Sequence, residues 1–265
     1  MRWIVLFLLA ICLAAPVHAD DYDAGTAAAK RGDFATAVAL WRRAAEQGDA
    51  GAQYALALCY QNGAGVPQDH GAAYKWFSEA AAQNYVSAAA ALGGIYKNGL
   101  GVERDFAKAA KWYRKDAEQG VPVAQAGLGY LHYKGFGVAQ SYAEAFRWNQ
   151  EAALQDHPAA QHNLAAMYAA GEGVRQDYAA ARKWYLAAAE QGFDMAQHDL
   201  AFMYIDGLGV AKDYTAAMMW LTLSAMQGND RAIENRESLA RHMTADQITA
   251  AQKSAEDWLA NRPPE

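Results

Sequence analysis

The chain has 265 residues, of which 53% are hydrophobic and 20% are charged, a composition that excludes an intrinsically disordered protein. Its formal net charge of -6 argues against nucleic acid as a partner, because neutralising phosphates requires a basic face. Two cysteines are too few for a disulfide framework or for the paired Cys ligands of a zinc ribbon.

The first nineteen residues have the pattern of a secretory signal peptide. Arg2 supplies a positive start, an uncharged apolar run extends from Ile4 to Ala15, and Val17 and Ala19 place small residues at the two positions that signal peptidase recognises. An uncleaved membrane anchor is the alternative, but the run is short for a bilayer and acidic residues follow at once. We therefore predict cleavage after Ala19 and export to a periplasm or beyond, with no membrane insertion of the mature chain.

A period of 36 residues governs the rest of the chain. The motif Gly-x-Gly-Val recurs at this spacing, and columns of Ala, Gln and Trp keep the same phase. The motif copies begin at Gly63, Gly99, Gly135, Gly171 and Gly207, and the Trp column is Trp76, Trp112, Trp148, Trp184 and Trp220. So many columns in phase indicate stacked repeats, because one repeat alone could not bury its apolar faces.

Each repeat predicts two helices. The first begins after an N-cap side chain that accepts hydrogen bonds from free N–H groups, and it ends at the column Gln before a residue that tolerates the left-handed conformation. The predicted N-caps are Asp33, Asp69, Asp105, Ser141, Asp177 and Asp213, and the predicted left-handed residues are Gly48, Asn84, Gly120, Asp156, Gly192 and Gly228. The second helices are predicted to begin near Ala50, Val86, Pro122, Pro158 and Asp194 and to end at the first Gly of each motif.

The pattern changes after Gly228. Thr244 to Gln247 form a capping box that predicts one further helix, with Ile248, Ala251, Ala255, Trp258 and Leu259 on one face. This predicts three segments: a signal peptide over 1–19, a repeat solenoid over 20–242, and a capping helix and tail over 243–265. Cys59 lies in a column of Ile, Leu and Met, so we predict a buried, unreactive thiol.

One stretch of the chain combines Ala52 and Gln53 with Leu56, Tyr60, the Gly63 motif, Asp69, Trp76 and Gln83. It resembles a Sel1-like repeat, a relative of the tetratricopeptide repeat, and the chain resembles exported bacterial proteins that carry this repeat. The resemblance covers roughly residues 33 to 232; His132 and Ser141 depart from the column Tyr and Asp without endangering the fold. It implies an all-α fold, a right-handed α/α solenoid of helix pairs closed by a C-terminal capping helix. It also implies a role as an adaptor or regulator, as in periplasmic inhibitors of sensor kinases, envelope assembly factors and host-interaction factors.

No pattern of catalytic residues or of a phosphate-binding loop occurs in the sequence, so we predict neither enzymatic activity nor a cofactor. His162 and His198 share one column in adjacent repeats, with Asp199 and Asp206 as the obvious further ligands for zinc. Polar residues of a groove are the better interpretation, and we predict no metal site.

The resemblance further implies that the second helices line a concave face. Columns on this face vary in size and polarity, which is typical of a binding surface, and they predict partner contacts at Tyr54, Leu58, Tyr130, Tyr133, His162, His198, Phe202 and Ile205. Two patches are expected, one around Tyr130 and Tyr133 and one around His198, Phe202 and Ile205. The alternative is that these rings only pack against the next repeat.

The resulting hypothesis is a monomeric, exported scaffold that binds a protein or peptide partner on its concave face. The principal alternative is an envelope protein that binds or hydrolyses peptidoglycan or β-lactams. Relatives linked to that activity carry a disulfide in each repeat, whereas Cys59 is the only thiol left after cleavage at Ala19. A structural spacer is the second alternative, and it predicts a charged groove without aromatic side chains.

Overall fold

The computed structural model describes residues 18–262, and over that range the chain forms fourteen α-helices and no strand. Residues 1–17, which hold most of the expected signal peptide, lie outside the described part. The helices are α1 His18–Lys30, α2 Phe34–Glu46, α3 Ala50–Asn62, α4 His70–Ala82, α5 Ala88–Asn98, α6 Phe106–Ala117, α7 Pro122–Lys134, α8 Tyr142–Ala153, α9 Pro158–Ala170, α10 Tyr178–Glu190, α11 Asp194–Asp206, α12 Tyr214–Met226, α13 Asp230–Ala240 and α14 Ala245–Ala260.

The helices fall into two compact units. The first consists of residues up to 88 with 100–102, and the second of 89–99 with 103–262. Within each unit, consecutive helices pack against each other as the helix pairs of an α/α repeat, so the all-α fold class is confirmed. None of the helices between residues 18 and 262 has both the length and the apolar character needed to cross a membrane.

The first helices of the repeats, α2, α4, α6, α8, α10 and α12, begin where the sequence predicts. At each one the predicted Asp or Ser accepts a hydrogen bond from a backbone N–H of the first turn. All six residues that follow the column Gln have positive φ, from 58° at Asn84 to 96° at Gly48. Both signals are short-range, which is why the sequence shows them directly.

The second helices begin as predicted except for α5, which starts at Ala88 and not near Val86. Ser87 has a φ of 71°, so the chain cannot be helical there. The N-terminus of α5 is instead held by Asp116 of α6, whose Oδ2 accepts a hydrogen bond from the Ala90 N–H at 2.8 Å. Asp116 is buried at a position where the other repeats carry Ala or Ser.

Buried glutamines join the two helices of a repeat. Each donates from Nε2 to a carbonyl oxygen eight residues earlier, and its Oε1 accepts from the column Gln thirty residues later at 2.8–2.9 Å. The pairs are Gln53 with Gln83, Gln125 with Gln155, Gln161 with Gln191 and Gln197 with Gln227. Ala89 interrupts the series, and Gln119 there donates to Lys115 of its own helix. The Gln column therefore has a structural cause in four repeats, where its side chain satisfies the oxygen of a buried glutamine.

The Gly-x-Gly-Val turns bring the end of each second helix against the start of the preceding first helix. At Gly209, with φ at 66°, a Cβ atom would lie 2.5 Å from the carbonyl oxygen of Tyr178, so only glycine fits. The Ala and Leu columns are buried beside these turns, with Leu56, Leu92, Leu128, Leu164 and Leu200 fully inaccessible. Cys59 is buried as predicted.

Helix α14 begins with the predicted capping box between Thr244 and Gln247 and packs on α12. Ala251 and Ala255 are buried, and the ring of Trp258 meets Trp220 edge to face at 6.1 Å between centroids. Leu259 was expected on the same face but is exposed.

Candidate interaction surface

All eight residues predicted to contact a partner lie on second helices. Tyr54 and Leu58 are on α3 in the first unit, whereas Tyr130, Tyr133, His162, His198, Phe202 and Ile205 are on α7, α9 and α11 in the second unit. Tyr130 is exposed and the other seven are half-buried. Ala90 and Ala126, which occupy the His162 column in earlier repeats, are buried and offer no surface to a partner.

Tyr54 is part of an aromatic cluster in the first unit. Its ring lies edge to face with Phe77 at 5.4 Å and tilted against Tyr85 at 5.2 Å. Burial and, to a smaller extent, the neighbouring Tyr22 together raise the pKa of Tyr85 to about 12. These contacts hold the Tyr54 ring in one orientation and leave only part of its surface for a partner.

Tyr130 and Tyr133, one helical turn apart on α7, share a pocket of about 180 Å³. Lys134, Asn149, Asn163, Ala166 and Met167 complete its lining. The edge of the Phe136 ring meets Tyr130 at 6.2 Å, and Tyr142 meets Tyr133 at 5.4 Å. Both tyrosine rings are therefore fixed before any ligand arrives.

The charges at this pocket have both signs. A hydrogen bond to Glu172, together with burial, raises the pKa of Tyr133 to about 12, so the phenol stays protonated at neutral pH. The Nζ of Lys134 lies 5.1 Å from the centre of the Tyr133 ring, and that of Lys97 lies 5.6 Å from the Tyr130 ring. The pocket of Tyr130 and Tyr133 therefore has an apolar wall and two ammonium groups at its rim.

Two asparagines that the sequence analysis did not single out lie at the base of the pocket. The Asn149 amide is buried, donating from Nδ2 to the Ala145 carbonyl at 2.8 Å. Asn163 donates from Nδ2 to Asn149 Oδ1 at 3.2 Å. The signal available in the sequence was the column of Asn149, which elsewhere holds large apolar side chains.

His162 and His198, in the same column, are bridged by one carboxylate. Asp199 Oδ2 lies 2.9 Å from His162 Nε2, and Asp199 Oδ1 lies 2.8 Å from His198 Nδ1. Asn235 Nδ2 lies 3.0 Å from the other ring nitrogen of His198. Across the described residues, no three His, Cys, Asp or Glu side chains form a group that could hold a metal ion.

The electrostatics of this bridge favour an ionised carboxylate. Desolvation raises the pKa of Asp199, but the hydrogen bonds from His162 and His198 outweigh it and hold the value at about 2. The His162 ring also packs against Tyr185 and Phe193, each at 5.5 Å, and the His198 ring packs against Phe202 at 5.0 Å. The bridge thus orients two rings and, through His198, supports Phe202.

Phe202 and Ile205 line a second, larger pocket of about 320 Å³. Its other walls are Tyr214, Asn235, Ser238, Leu239 and His242. Asn235 connects this pocket to the bridge through its contact with His198. The structure therefore brings His198, Phe202 and Ile205 to one place, as it does Tyr130 and Tyr133, and leaves Tyr54 and Leu58 in the other unit.

Comparison with known proteins gives a consistent picture. The model of the Sel1 repeat matches residues 22–49, 50–85, 86–121, 122–157, 158–193 and 194–229. The crystal structure of a Sel1 repeat protein from Oxalobacter formigenes is similar, with 28% sequence identity, a TM-score of 0.77, and coverage of 92% of this chain and 99% of that one.

Two further solved structures support the fold alone. A Sel1 repeat protein from Klebsiella pneumoniae subsp. pneumoniae is 24% identical with a TM-score of 0.53, covering 77% of this chain and 99% of that one. An immunity protein from Pseudomonas aeruginosa is 20% identical with a TM-score of 0.53, covering 80% and 82%. The search of curated proteins found no match. Six matched repeats span most of the sequence, and the chain belongs to the Sel1 repeat family.

Proposed function

We propose that this protein is an exported adaptor or regulator that binds a protein or peptide partner along the surface of its second helices, the face that the family resemblance implies is concave. Sel1 repeat proteins are generally scaffolds for protein–protein interaction and are typically not enzymes. The observation that carries the proposal is the presence of two aromatic pockets on second helices of one unit, at Tyr130 with Tyr133 and at Phe202 with Ile205.

The supporting side chains favour binding energetically. Aromatic residues in partly desolvated pockets contribute most of the free energy at protein interfaces. Tyr133 is held by Glu172 and Tyr142, and Phe202 is held by His198, so few rotamers remain to be ordered on binding. A surface that is already ordered loses less entropy when a partner docks.

Site-specific photo-crosslinking tests the proposed surface. A photoreactive phenylalanine analogue is placed at Tyr130 or Phe202, and at the control positions Leu154 and Met226, which are exposed apolar residues at the ends of α8 and α12. We expect one protein to crosslink from positions 130 and 202 and not from the controls. The same species from all four positions would refute the assigned surface.

Purified components then establish that the captured protein is the partner. Tyr130→Ala and Phe202→Ala should each weaken its binding at least about tenfold, whereas Leu154→Ala should leave it unchanged. Equal affinities for all the variants would contradict the proposal, provided that circular dichroism shows the same helicity.

Export rests on the pattern of the first nineteen residues and needs its own test. Mass spectrometry of the protein from an extracytoplasmic fraction should show an N-terminus at Asp20. Intact Met1 on cytoplasmic protein would refute cleavage and export.

A further inference from the structure

One position of the first helices carries a large apolar side chain in every repeat but one. The column holds Trp41, Phe77, Tyr113, Asn149, Tyr185 and Leu221. All six side chains are buried, so the column is part of the core. Only in the repeat of α8 and α9 does a short polar side chain take the place of a ring or a leucine.

The preceding repeat shows how much room a ring takes at this position. Tyr113 packs closely between two glycines, since a Cβ on Gly93 would lie 2.6 Å from the ring and one on Gly127 would lie 2.7 Å from it. One repeat later the equivalents of these glycines are Gly129 and Asn163. Asn149 and Asn163 occupy part of the space that a ring would fill, since a Cβ on Gly129 would lie 2.7 Å from Asn149 Nδ2.

The Tyr130–Tyr133 pocket lies at this place, with Asn149 and Asn163 in its lining. Its volume of about 180 Å³ is enough for one aromatic ring, because an apolar protein cavity of ~150 Å³ binds benzene. We call this pocket, lined by Tyr130, Tyr133, Asn149, Asn163 and Met167, the Asn149 socket.

The polar groups select among aromatic ligands. Asn149 donates from Nδ2 to the Ala145 carbonyl and accepts at Oδ1 from Asn163. Among the described residues no side chain or backbone group donates to Asn163 Oδ1, which remains available as an acceptor at the socket. A phenol O–H is a matching donor, whereas a phenyl ring would leave this oxygen unpaired. The two ammonium groups of Lys97 and Lys134 outnumber the one carboxylate beside Tyr133, that of Glu172, and so favour acidic neighbours on the ligand.

We propose that the Asn149 socket binds a tyrosine side chain from an acidic segment of the partner protein, with the tyrosine ring beside the position of the missing core aromatic and its hydroxyl donating to Asn163 Oδ1. This inference rests on the proposed function, since it names the group that the Tyr130 surface recognises. A second copy of this chain is the competing occupant.

Binding of p-cresol, the side-chain analogue of tyrosine, tests the socket directly. In NMR titrations of the full chain, we expect p-cresol to shift the side-chain amide signals of Asn149 and Asn163, with a dissociation constant of roughly 1–10 mM. Toluene, the analogue of phenylalanine, should bind at least about fivefold more weakly. Asn163→Ala should reduce the affinity for p-cresol to that for toluene.

Asn149→Tyr is the matched variant, because it restores the ring that the other repeats carry. Tyr185 lies beside Asp199 in the next repeat, so a tyrosine at this position is compatible with a polar residue at the Asn163 column. The variant should fold with equal or higher thermal stability and lose p-cresol binding by at least about tenfold. Unchanged p-cresol affinity in Asn149→Tyr, or the absence of any amide shift in wild type, would overturn the proposal.

Titration of the crosslinked partner separates this inference from the proposed function. We expect Asn149→Tyr to weaken partner binding at least about tenfold. If Phe202→Ala weakens binding and Asn149→Tyr does not, the socket is wrong and the interaction surface stands; if neither variant weakens it, both fail. Amide shifts at Asn163 that grow with protein concentration alone would assign the socket to a second copy and overturn the proposed occupant.

Discussion

A pair of glycine substitutions in one turn tests how closely the Gly-x-Gly-Val motif packs. Gly207 and Gly209 have similar left-handed conformations, with φ at 74° and 66°, so alanine costs about 1–2 kcal/mol of strain at either position. At Gly207 the new Cβ would lie 3.0 Å from Lys212 Cγ, in a flexible side chain that can move away. At Gly209 it would lie 2.5 Å from the Tyr178 carbonyl oxygen, which is backbone.

The backbone of α10 must therefore shift in Gly209→Ala, which adds about 1–3 kcal/mol to the strain. We expect Gly207→Ala to lower the free energy of unfolding by about 1–2 kcal/mol and Gly209→Ala by about 2–5 kcal/mol. Urea unfolding followed by circular dichroism measures both, with equal m-values as the check that the same transition is compared. Equal losses in the two variants would refute the conclusion that this turn packs directly on the start of α10.

Three further predictions follow from buried or bridging polar groups. Asp116→Ala should lower the free energy of unfolding by about 2–3 kcal/mol, because it removes a buried acceptor from the Ala90 N–H; Asp116→Asn, which keeps a carbonyl acceptor, should cost less in the same urea assay. The Asp199 carboxylate, with a folded pKa of about 2 against an ordinary value of 3.8, contributes stability that is complete above about pH 3.8 and is lost as the pH falls through about 2. Since this side chain is 37% exposed, we expect Asp199→Asn to cost only about 1 kcal/mol at pH 6 and nothing at pH 1.5; an equal cost at both pH values would refute the ionic contribution. Burial raises the pKa of the Cys59 thiol, so iodoacetamide should label it at least about 100-fold more slowly in the folded protein than in urea, as read by peptide mass spectrometry, and equal rates would contradict its burial.

The features that the sequence predicted well are local and repeated. An N-cap such as Asp33 bonds a backbone group three residues away, and a left-handed residue such as Gly48 is favoured by its own covalent structure. Each such preference is weak alone, but repetition every 36 residues makes it visible in one chain. Where a repeat departs from the column, as at Ser87, the prediction for the start of α5 failed because the capping group comes from Asp116 of the next helix.

The candidate surface was predicted only as columns of side chains on the second helices. The bridge of Asp199 between His162 and His198 was not foreseen as a structural contact, because the bond from His162 crosses 37 residues of sequence and joins two repeats. Asn149 was not foreseen either. A single asparagine in a core column indicates a pocket only when the glycine and tyrosine residues that lie next to it in the structure are known. The positions of the signal peptide and of the partner contacts remain predictions.

The amino-acid sequence by itself determined the repeat, its family and the helix boundaries other than the start of α5, because those depend on interactions within a few residues that recur in phase. Only the tertiary structure decided which variable positions form pockets. A pocket is the volume that side chains from several helices leave unfilled. It depends on how the side chains of neighbouring repeats differ in size, which no single column of the sequence shows. In this chain, the side chain missing at Asn149 defines the pocket as much as the rings of Tyr130 and Tyr133 that surround it.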